Sequence, residues 1–190
     1  MYPKKNKEGQ LIFPDHLEFI PNLSPKQVFQ YGAFDGTYFR PIHSAITGKN
    51  YKNIHKKYTF LNSIPESKLC RPLEEADVSI NKYKVHVGQT LEQWESNGWI
   101  KASHTAGWVH WFCDFYNGRR HPDDERQIKR WLGVAGPNGR FRKNLINQIH
   151  KSEKKYDDYS IAPKYRQILL HWNYELTKKD YEDGIKTIKK

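Results

Sequence analysis

The stretch between Gly107 and Gly118 constrains the fold of this chain more than any other part of the sequence. Its residues, Trp108-Val109-His110-Trp111-Phe112-Cys113-Asp114-Phe115-Tyr116-Asn117, are apolar around almost the whole circumference of a helix. A helix that is apolar on nearly every side has to be surrounded by protein. The stretch therefore predicts a central helix, with the remainder of the chain packed around it.

Aromatic side chains supply the rest of the predicted core. Hydrophobic residues make up only 37% of the 190 residues, but they include six Trp, twelve Tyr and nine Phe. Since each buried aromatic side chain removes about 150–250 Å² from water, a compact core is within reach despite the few aliphatic residues. A chain of this length suits one domain. We expect an exposed N-terminal lead-in over residues 1–15, which include Gly9 and two prolines, followed by a single mostly helical domain over residues 16–190.

Two capping boxes mark helix starts in the first half of the chain. Ser24-Pro25-Lys26-Gln27 and Thr90-Leu91-Glu92-Gln93 each place a Ser or Thr three residues before a Gln, and such pairs satisfy the free N–H groups of a first helical turn. In the second half, prolines, acidic residues and glycines at the right spacing predict helices over residues 122–132, 139–155 and 162–172, with a last one starting near Thr177.

The segment Asp35-Gly36-Thr37-Tyr38-Phe39 predicts a tight turn that leads into a short extended stretch. The predicted fold class is therefore mainly α: a compact helical domain with a short extended and β-turn segment near residues 34–45, and a possible helix-turn-helix-like core over residues 105–155. Residues 51–82 show no sustained period and yield no prediction.

The charge of the chain favours a polyanionic partner. The formal net charge is +11, and residues 119–156 hold eleven Lys or Arg against four Asp or Glu, a net charge of +7. A basic surface of this kind suits nucleic acid. No long apolar run and no basic amphipathic terminus is present, so a membrane partner is not expected.

The predicted helix over residues 139–150 is amphipathic, with apolar residues at i, i+4 and i+8. Its polar side includes Arg, Asn and Gln, the side chains that pair with base edges in the major groove of DNA. Two helices joined by a short Gly-rich turn resemble the outline of a helix-turn-helix. The alternative is an ordinary solvated helix face. The leading hypothesis is a DNA-binding protein, with DNA favoured over RNA. Its candidate phosphate contacts are Arg119, Arg120, Arg126, Lys129, Arg130, Arg140, Arg142 and Lys143, and its candidate base contacts are Asn144, Asn147 and Gln148.

Tyr38 and Phe39 stand beside Arg40, a combination that suits stacking on a nucleotide. The alternative is a turn followed by a core strand. Because the segment also contains Asp35 and His43, a second hypothesis is an enzyme that modifies or excises bases of DNA or acts on nucleotides. Such an enzyme would need a concave site with a titrating group of perturbed pKa.

A second catalytic candidate is the pair His110 and Asp114, which share a helical stripe at i and i+4 and could form a general base. A buried helix also needs a few satisfied polar groups, and that alternative is the favoured explanation of the pair. No metal is expected, because Cys70 and Cys113 lack metal-ligand spacing. No cofactor is expected either.

A third hypothesis is a structural or assembly protein, for example of a virus, whose basic face meets an acidic partner. The first residues contain no apolar leader segment, and two cysteines do not form a disulfide scaffold. We therefore expect the chain to stay inside the cell, in the cytoplasm or nucleus or in a virus-infected host, and not to be secreted. The sequence gives no indication of the oligomeric state.

The chain contains eight short motifs: residues 34–40, Val87-Gly88-Gln89-Thr90, Gly107-Trp108, Gly118-Arg119-Arg120, residues 123–128, Arg130-Trp131, Gly139-Arg140 and residues 166–172. Together they resemble a family of uncharacterised proteins from algae, fungi, bacteria and viruses, over roughly residues 28–176. The resemblance implies one domain and carries no known activity. It also implies Gln and Arg in relatives where this chain has His110 and Asp114, which argues against a catalytic role for that pair.

Overall fold

The structure is a computed structural model that describes residues 2–188. It confirms a mainly α fold. The described residues form seven α-helices and one antiparallel hairpin, in which Ile42 pairs with Tyr51. The helices are α1 (Pro25–Tyr31), α2 (Leu91–Ser96), α3 (Trp108–Tyr116), α4 (Asp124–Val134), α5 (Arg140–Ser152), α6 (Pro163–His171) and α7 (Lys178–Ile188), and the strands are β1 (Ile42–Ser44) and β2 (Lys49–Tyr51).

The capping boxes act as the sequence predicts. The backbone N–H of Gln27 donates to the Ser24 hydroxyl oxygen, and the Gln27 side chain accepts from the Ser24 backbone. The same reciprocal pair joins Thr90 and Gln93 at the start of α2. Local hydrogen bonds of this kind depend on neighbouring residues only, which is why they can be read from sequence.

Helix α3 lies at the centre of the core, as predicted. Trp111, Phe112 and Phe115 are at most 1% exposed. The ring of Phe19 meets Trp111 at 5.8 Å and Trp131 of α4 at 5.2 Å between centroids. Truncating one of these buried rings to Ala would cost about 3–5 kcal/mol of stability. No helix in the described part of the chain is long and apolar enough to cross a membrane.

The prediction of an exposed lead-in over residues 1–15 is wrong for its second half. Leu11 and Phe13 are each 2% exposed and belong to the main core. The backbone N–H of Leu11 donates to Pro21 at 2.8 Å, and the Phe13 ring packs 4.8 Å from Phe115. The run Leu11-Ile12-Phe13 is too short to show a period, so the burial of Leu11 and Phe13 could be known only from contacts that are distant in sequence.

Residues 51–82 fold as a series of short 3₁₀ helices around the 34–40 loop. The backbone N–H of Phe39 donates to Leu69 at 2.6 Å, and that of Arg71 donates to Gly36 at 3.0 Å. Gly36 has a φ of +78°, and a Cβ there would lie 2.6 Å from the Ser67 carbonyl oxygen. The segment without a predicted structure therefore holds the 34–40 loop in place.

Helix α5 packs against α4, α6 and α7, and residues 135–139 join it to α4. Leu145, Ile146 and Ile149 are buried, as the amphipathic pattern predicts. Lys143 and Gln148 are exposed, whereas Asn144 and Asn147 are half-buried. A helix-turn-helix role for α4 and α5 stays a prediction.

Candidate functional site: an aromatic cavity with two unpaired arginines

A wide cavity opens between the 34–40 loop, α2 and the facing ends of α4, α5 and α6. We call it the aromatic cavity; its volume is about 600 Å³. That size lies within the range of about 300–1,000 Å³ typical of small-ligand sites. Four tryptophans from separate parts of the chain contribute to its wall. The aromatic lining residues are Phe34, Tyr38, Trp94, Trp99, Trp108, Phe141, His171 and Trp172.

Two arginines complete this wall, Arg130 of α4 and Arg140 at the start of α5. The Arg130 guanidinium stacks over the rings of Trp99 at 5.7 Å and Trp172 at 5.3 Å. Burial and the neighbouring Arg126 lower the pKa of Arg130 to about 10, so it remains charged at neutral pH. Neither cavity arginine has an ion-pair partner among the described residues.

A second cavity of about 330 Å³ adjoins the aromatic cavity and shares five of its lining residues. Although much of its wall is apolar, we call it the polar cavity after three charged or titratable side chains that line it. Its wall contains Asp35, Arg40 and His86. Arg40 is half-buried, and burial lowers its pKa. The shared residues are Phe34, Tyr38, Gly88, Gln89 and Trp94, so a ligand in one cavity would lie beside the other.

Asp35 and His86 form a pair in the wall of the polar cavity. The Nδ1 atom of His86 lies 2.5 Å from Oδ2 of Asp35. Asp35 is buried, and its other oxygen accepts from the side chain of Asn81, while His86 is largely exposed. An imidazole held by a buried carboxylate and open to a cavity can take up a proton from a bound molecule.

The backbone that carries this pair is strained. Phe34 and Asp35 have φ values of 55° and 54°, the left-handed region that non-glycine residues rarely adopt, and such strain gathers at functional sites. His171 supports the loop, because its Nε2 accepts the Phe34 N–H at 3.1 Å and its ring stacks on Phe34 at 3.7 Å. Burial lowers the pKa of His171 to about 3, so the ring is neutral and can accept this hydrogen bond.

Most of the predicted phosphate contacts lie away from the cavities, and several are already paired. Arg120 donates to Asp15 at 2.5 Å, and Arg119 to Asp114 at 3.1 Å. Arg126 donates to Asp123 at 2.5 Å. Lys129 and Lys143 are exposed. Of the eight cations that the sequence singles out, only Arg130 and Arg140 line the aromatic cavity or its neighbour, whereas Arg119 and Arg120 line a separate cavity beside Asp114 and Asp124.

Arg142 is a correction to the predicted phosphate contacts. It is 7% exposed, its guanidinium lies 2.6 Å from Asp180 of α7, and it stacks on Tyr174 at 4.9 Å. Its position within α5 points it to α7, so it cannot reach a phosphate without losing that pair.

The predicted stacking pair is only partly correct. Phe39 is 1% exposed inside the core, which rules it out as a stacking surface. Tyr38 is buried too, but it lines both cavities, and its hydroxyl oxygen accepts the backbone N–H of Val109 at 2.8 Å. The two residues lie in a turn closed by a hydrogen bond from the Arg40 N–H to the Thr37 carbonyl oxygen, and their rings contact each other at 4.9 Å between centroids.

The structure does not bring the predicted catalytic residues together in one site. His43 is exposed on β1, contacts Asn50 and lies outside both cavity walls. His110 is buried, burial lowers its pKa to about 3, and its Nδ1 accepts the Ala106 N–H. The His110–Asp114 pair is therefore wrong.

Asp114 instead takes part in a separate polar cluster. It accepts from Tyr58 at 2.9 Å and lies 3.4 Å from Nε2 of His104. The Nδ1 of His104 contacts the Ser103 hydroxyl at 3.0 Å. These hydrogen bonds hold the pKa of Asp114 low, near 2, against the effect of burial.

Sequence reasoning missed His86, Trp94, Trp99 and Trp172. His86 follows Asp35 by 51 residues, and no local pattern links them. The quoted motifs were a usable signal, because six of those eight segments contribute to the walls of the two cavities. Comparison with protein families, curated proteins and solved structures finds no match to this chain, so the resemblance stays a prediction.

Proposed function

We propose that this protein binds nucleic acid by taking one unpaired base into the aromatic cavity. The observation that carries the proposal is the cavity wall, where four tryptophans lie beside two arginines without carboxylate partners. Stacking of a base on aromatic side chains is worth about 1–3 kcal/mol, and arginine adds attraction for phosphate. DNA is the proposed partner, with RNA as the alternative form.

The exposed side of α5 gives the backbone of such a strand a path. Arg140 lies at the cavity, and Lys143, Asn147 and Lys151 follow at helical spacing. Residues spaced by three and four lie on one side of a helix. A strand whose base enters the cavity would therefore pass along this side, with Asn144 and Gln148 available for further contacts.

The proposal predicts a preference for single strands, because a paired base cannot enter a cavity without leaving its duplex. We would measure fluorescence anisotropy with labelled single-stranded DNA, duplex DNA and RNA at two salt concentrations. Intrinsic tryptophan fluorescence should be quenched as a base stacks. Equal binding to duplex and single strand without quenching would contradict the proposal and favour groove binding by α5.

Arg130→Gln should weaken single-strand binding about tenfold, because it removes a charge from the cavity wall. Lys129→Gln is the matched control, since it removes the same charge from an exposed position one residue away. Equal losses in the two variants would show that only overall charge matters.

The Asp35–His86 pair favours a second candidate, an enzyme that excises or modifies the bound base. The pair would take a proton from water as the water oxygen bonds to the sugar C1′, the bond from C1′ to the base breaks, and the proton passes to the departing base. Incubated DNA would be assayed for free bases and altered nucleosides by mass spectrometry. His86→Gln should abolish any product, and His43→Gln should not. If the wild type yields no product, the enzyme hypothesis is rejected and the protein only binds nucleic acid.

A further inference from the structure

The structure brings together three metal-ligating side chains in the segment for which the sequence predicts no structure. We propose that His55, Glu66 and Cys70 bind one Zn²⁺ ion. One ligand atom of each residue lies within 4.8 Å of those of the other two. His55 comes from the 3₁₀ helix Ile54–Lys57, Glu66 begins the 3₁₀ helix Glu66–Lys68, and Cys70 follows it.

His55 has a buried ring that makes no hydrogen bond among the described residues. It is 7% exposed, and its Nδ1 has no hydrogen-bond partner among the described residues. Its Nε2 lies 3.9 Å from Oε1 of Glu66, too far for a hydrogen bond. Leaving a buried polar atom without a partner costs about 1–3 kcal/mol, and histidines in native proteins generally avoid that cost.

The donor set selects zinc among common cations. One imidazole nitrogen, one thiolate sulfur and one carboxylate oxygen match the ligands of Zn²⁺, whereas Ca²⁺ and Mg²⁺ take oxygen ligands. Three protein ligands leave the fourth tetrahedral position to water. Zinc bonds of about 2.0–2.3 Å require ligand atoms roughly 3.3–3.8 Å apart, so the set has to contract by about 1 Å. The side chain of Glu66, 71% exposed, is free to move by that distance.

Lys56 is the one cation in contact with this site among the described residues, 3.9 Å from the Glu66 carboxylate. Both side chains are exposed, so the contact is weak and a metal ion can displace it. Metal binding would also stabilise the 34–40 loop, because the Phe39 ring lies 6.1 Å from the His55 ring and the Phe39 backbone N–H donates to Leu69. This inference does not depend on the proposed function.

The test is a titration of the reduced, metal-free protein with Co²⁺, followed by displacement with Zn²⁺. A thiolate ligand should produce a sulfur-to-cobalt charge-transfer band that saturates at one equivalent. Zn²⁺ at about a hundred times its Kd should raise the Tm by roughly 5–10 °C. Cys70→Ser should lose the band and the Tm rise, and His55→Gln should weaken binding at least tenfold.

Cys113→Ala is the matched control, because Cys113 is buried in α3 away from the three ligands. It should retain the band, and circular dichroism should show that each variant is folded. A wild type that binds no Co²⁺ at one equivalent would overturn the proposal. So would a Cys70→Ser variant that keeps the charge-transfer band.

Discussion

Two regions with similar positive charge differ in what surrounds their arginines. At the junction of α3 and α4, Arg119, Arg120 and Arg126 each donate to a carboxylate within the same molecule. At the aromatic cavity, the guanidinium of Arg130 lies over the rings of Trp99 and Trp172 instead, and that of the exposed Arg140 lies over Phe141. A guanidinium that already has a carboxylate partner gains little from a phosphate, whereas one without a partner gains a new charge-assisted bond. The comparison shows that net charge along a sequence overstates the charge available to a ligand.

The largest effect should come from the buried ion pair between Arg142 and Asp180. Like the arginines at the junction of α3 and α4, Arg142 has a carboxylate partner within the same molecule. Arg142→Gln should lower the free energy of unfolding by about 3–5 kcal/mol, because the Asp180 carboxylate would lose its charged partner and keep only the hydrogen bond from the Tyr174 hydroxyl. Urea denaturation measures this loss. Replacing Arg142 and Asp180 together by Leu should cost less than Arg142→Gln alone. A loss below about 1 kcal/mol would show that the ion pair with Asp180 contributes little to stability. Arg142 would then be free to bind nucleic acid, and the distinction between arginines with and without carboxylate partners would fail.

The second-largest effect should be a loss of stability at low pH, which should involve the wall of the aromatic cavity and spare the ion pair at the junction of α3 and α4. His171 in the cavity wall and His110 have pKa values of about 3 in the folded protein, and about 6.5 once unfolded. Below pH 6.5 the unfolded chain binds protons that the folded chain refuses, so stability falls as pH drops toward 3. The pKa of Asp114 is near 2, so its pair with Arg119 survives over that range.

We expect a loss of about 2–3 kcal/mol between pH 7 and pH 5.5 from the two histidines together. Urea denaturation at the two pH values measures it. His171→Gln should reduce the loss by about half, and His43→Gln, an exposed position, should leave it unchanged. An equal loss in the His171 variant would show that this ring is protonated in the folded protein.

Removing one aromatic ring from the aromatic cavity tests the comparison through the affinity for single-stranded DNA. Trp99 is 40% exposed at the cavity, so Trp99→Ala should weaken binding of single-stranded DNA about 5- to 100-fold through lost stacking. Anisotropy titration measures the change. Tyr159→Ala is the control, because Tyr159 is similarly exposed and lies outside both cavity walls. Equal losses for the two would argue against the cavity as the binding site.

The smallest effect concerns salt dependence. Arg140→Gln should reduce the slope of log K against log salt by about 0.7, the contribution of one phosphate contact on a single strand. Arg126→Gln should leave the slope unchanged and cost at most about 1 kcal/mol of stability, since its pair with Asp123 is partly exposed. If Arg126→Gln lowers the slope as much as Arg140→Gln, paired arginines release their carboxylates on binding and the distinction fails.

The fold could be predicted wherever local rules decide it. The boxes at Ser24 and Thr90, the apolar circumference of α3 and the amphipathic pattern of α5 each predicted an element that the structure contains. The candidate site could be predicted only in part. Arg130, Arg140, Tyr38 and Asp35 were singled out from the sequence and line the cavities, but their neighbours His86 and Trp99 were not.

By itself, the sequence determined the helical class, the central helix and the excess of positive charge, because these follow from neighbours within a few positions and from composition. Only the tertiary structure decided which charges stay available. It paired Arg120 with Asp15 across 105 residues, and Arg142 with Asp180, while leaving Arg130 among aromatic rings. The physical reason is that an ion pair or a cavity depends on distances in space, and a side chain's partner can lie anywhere along the chain.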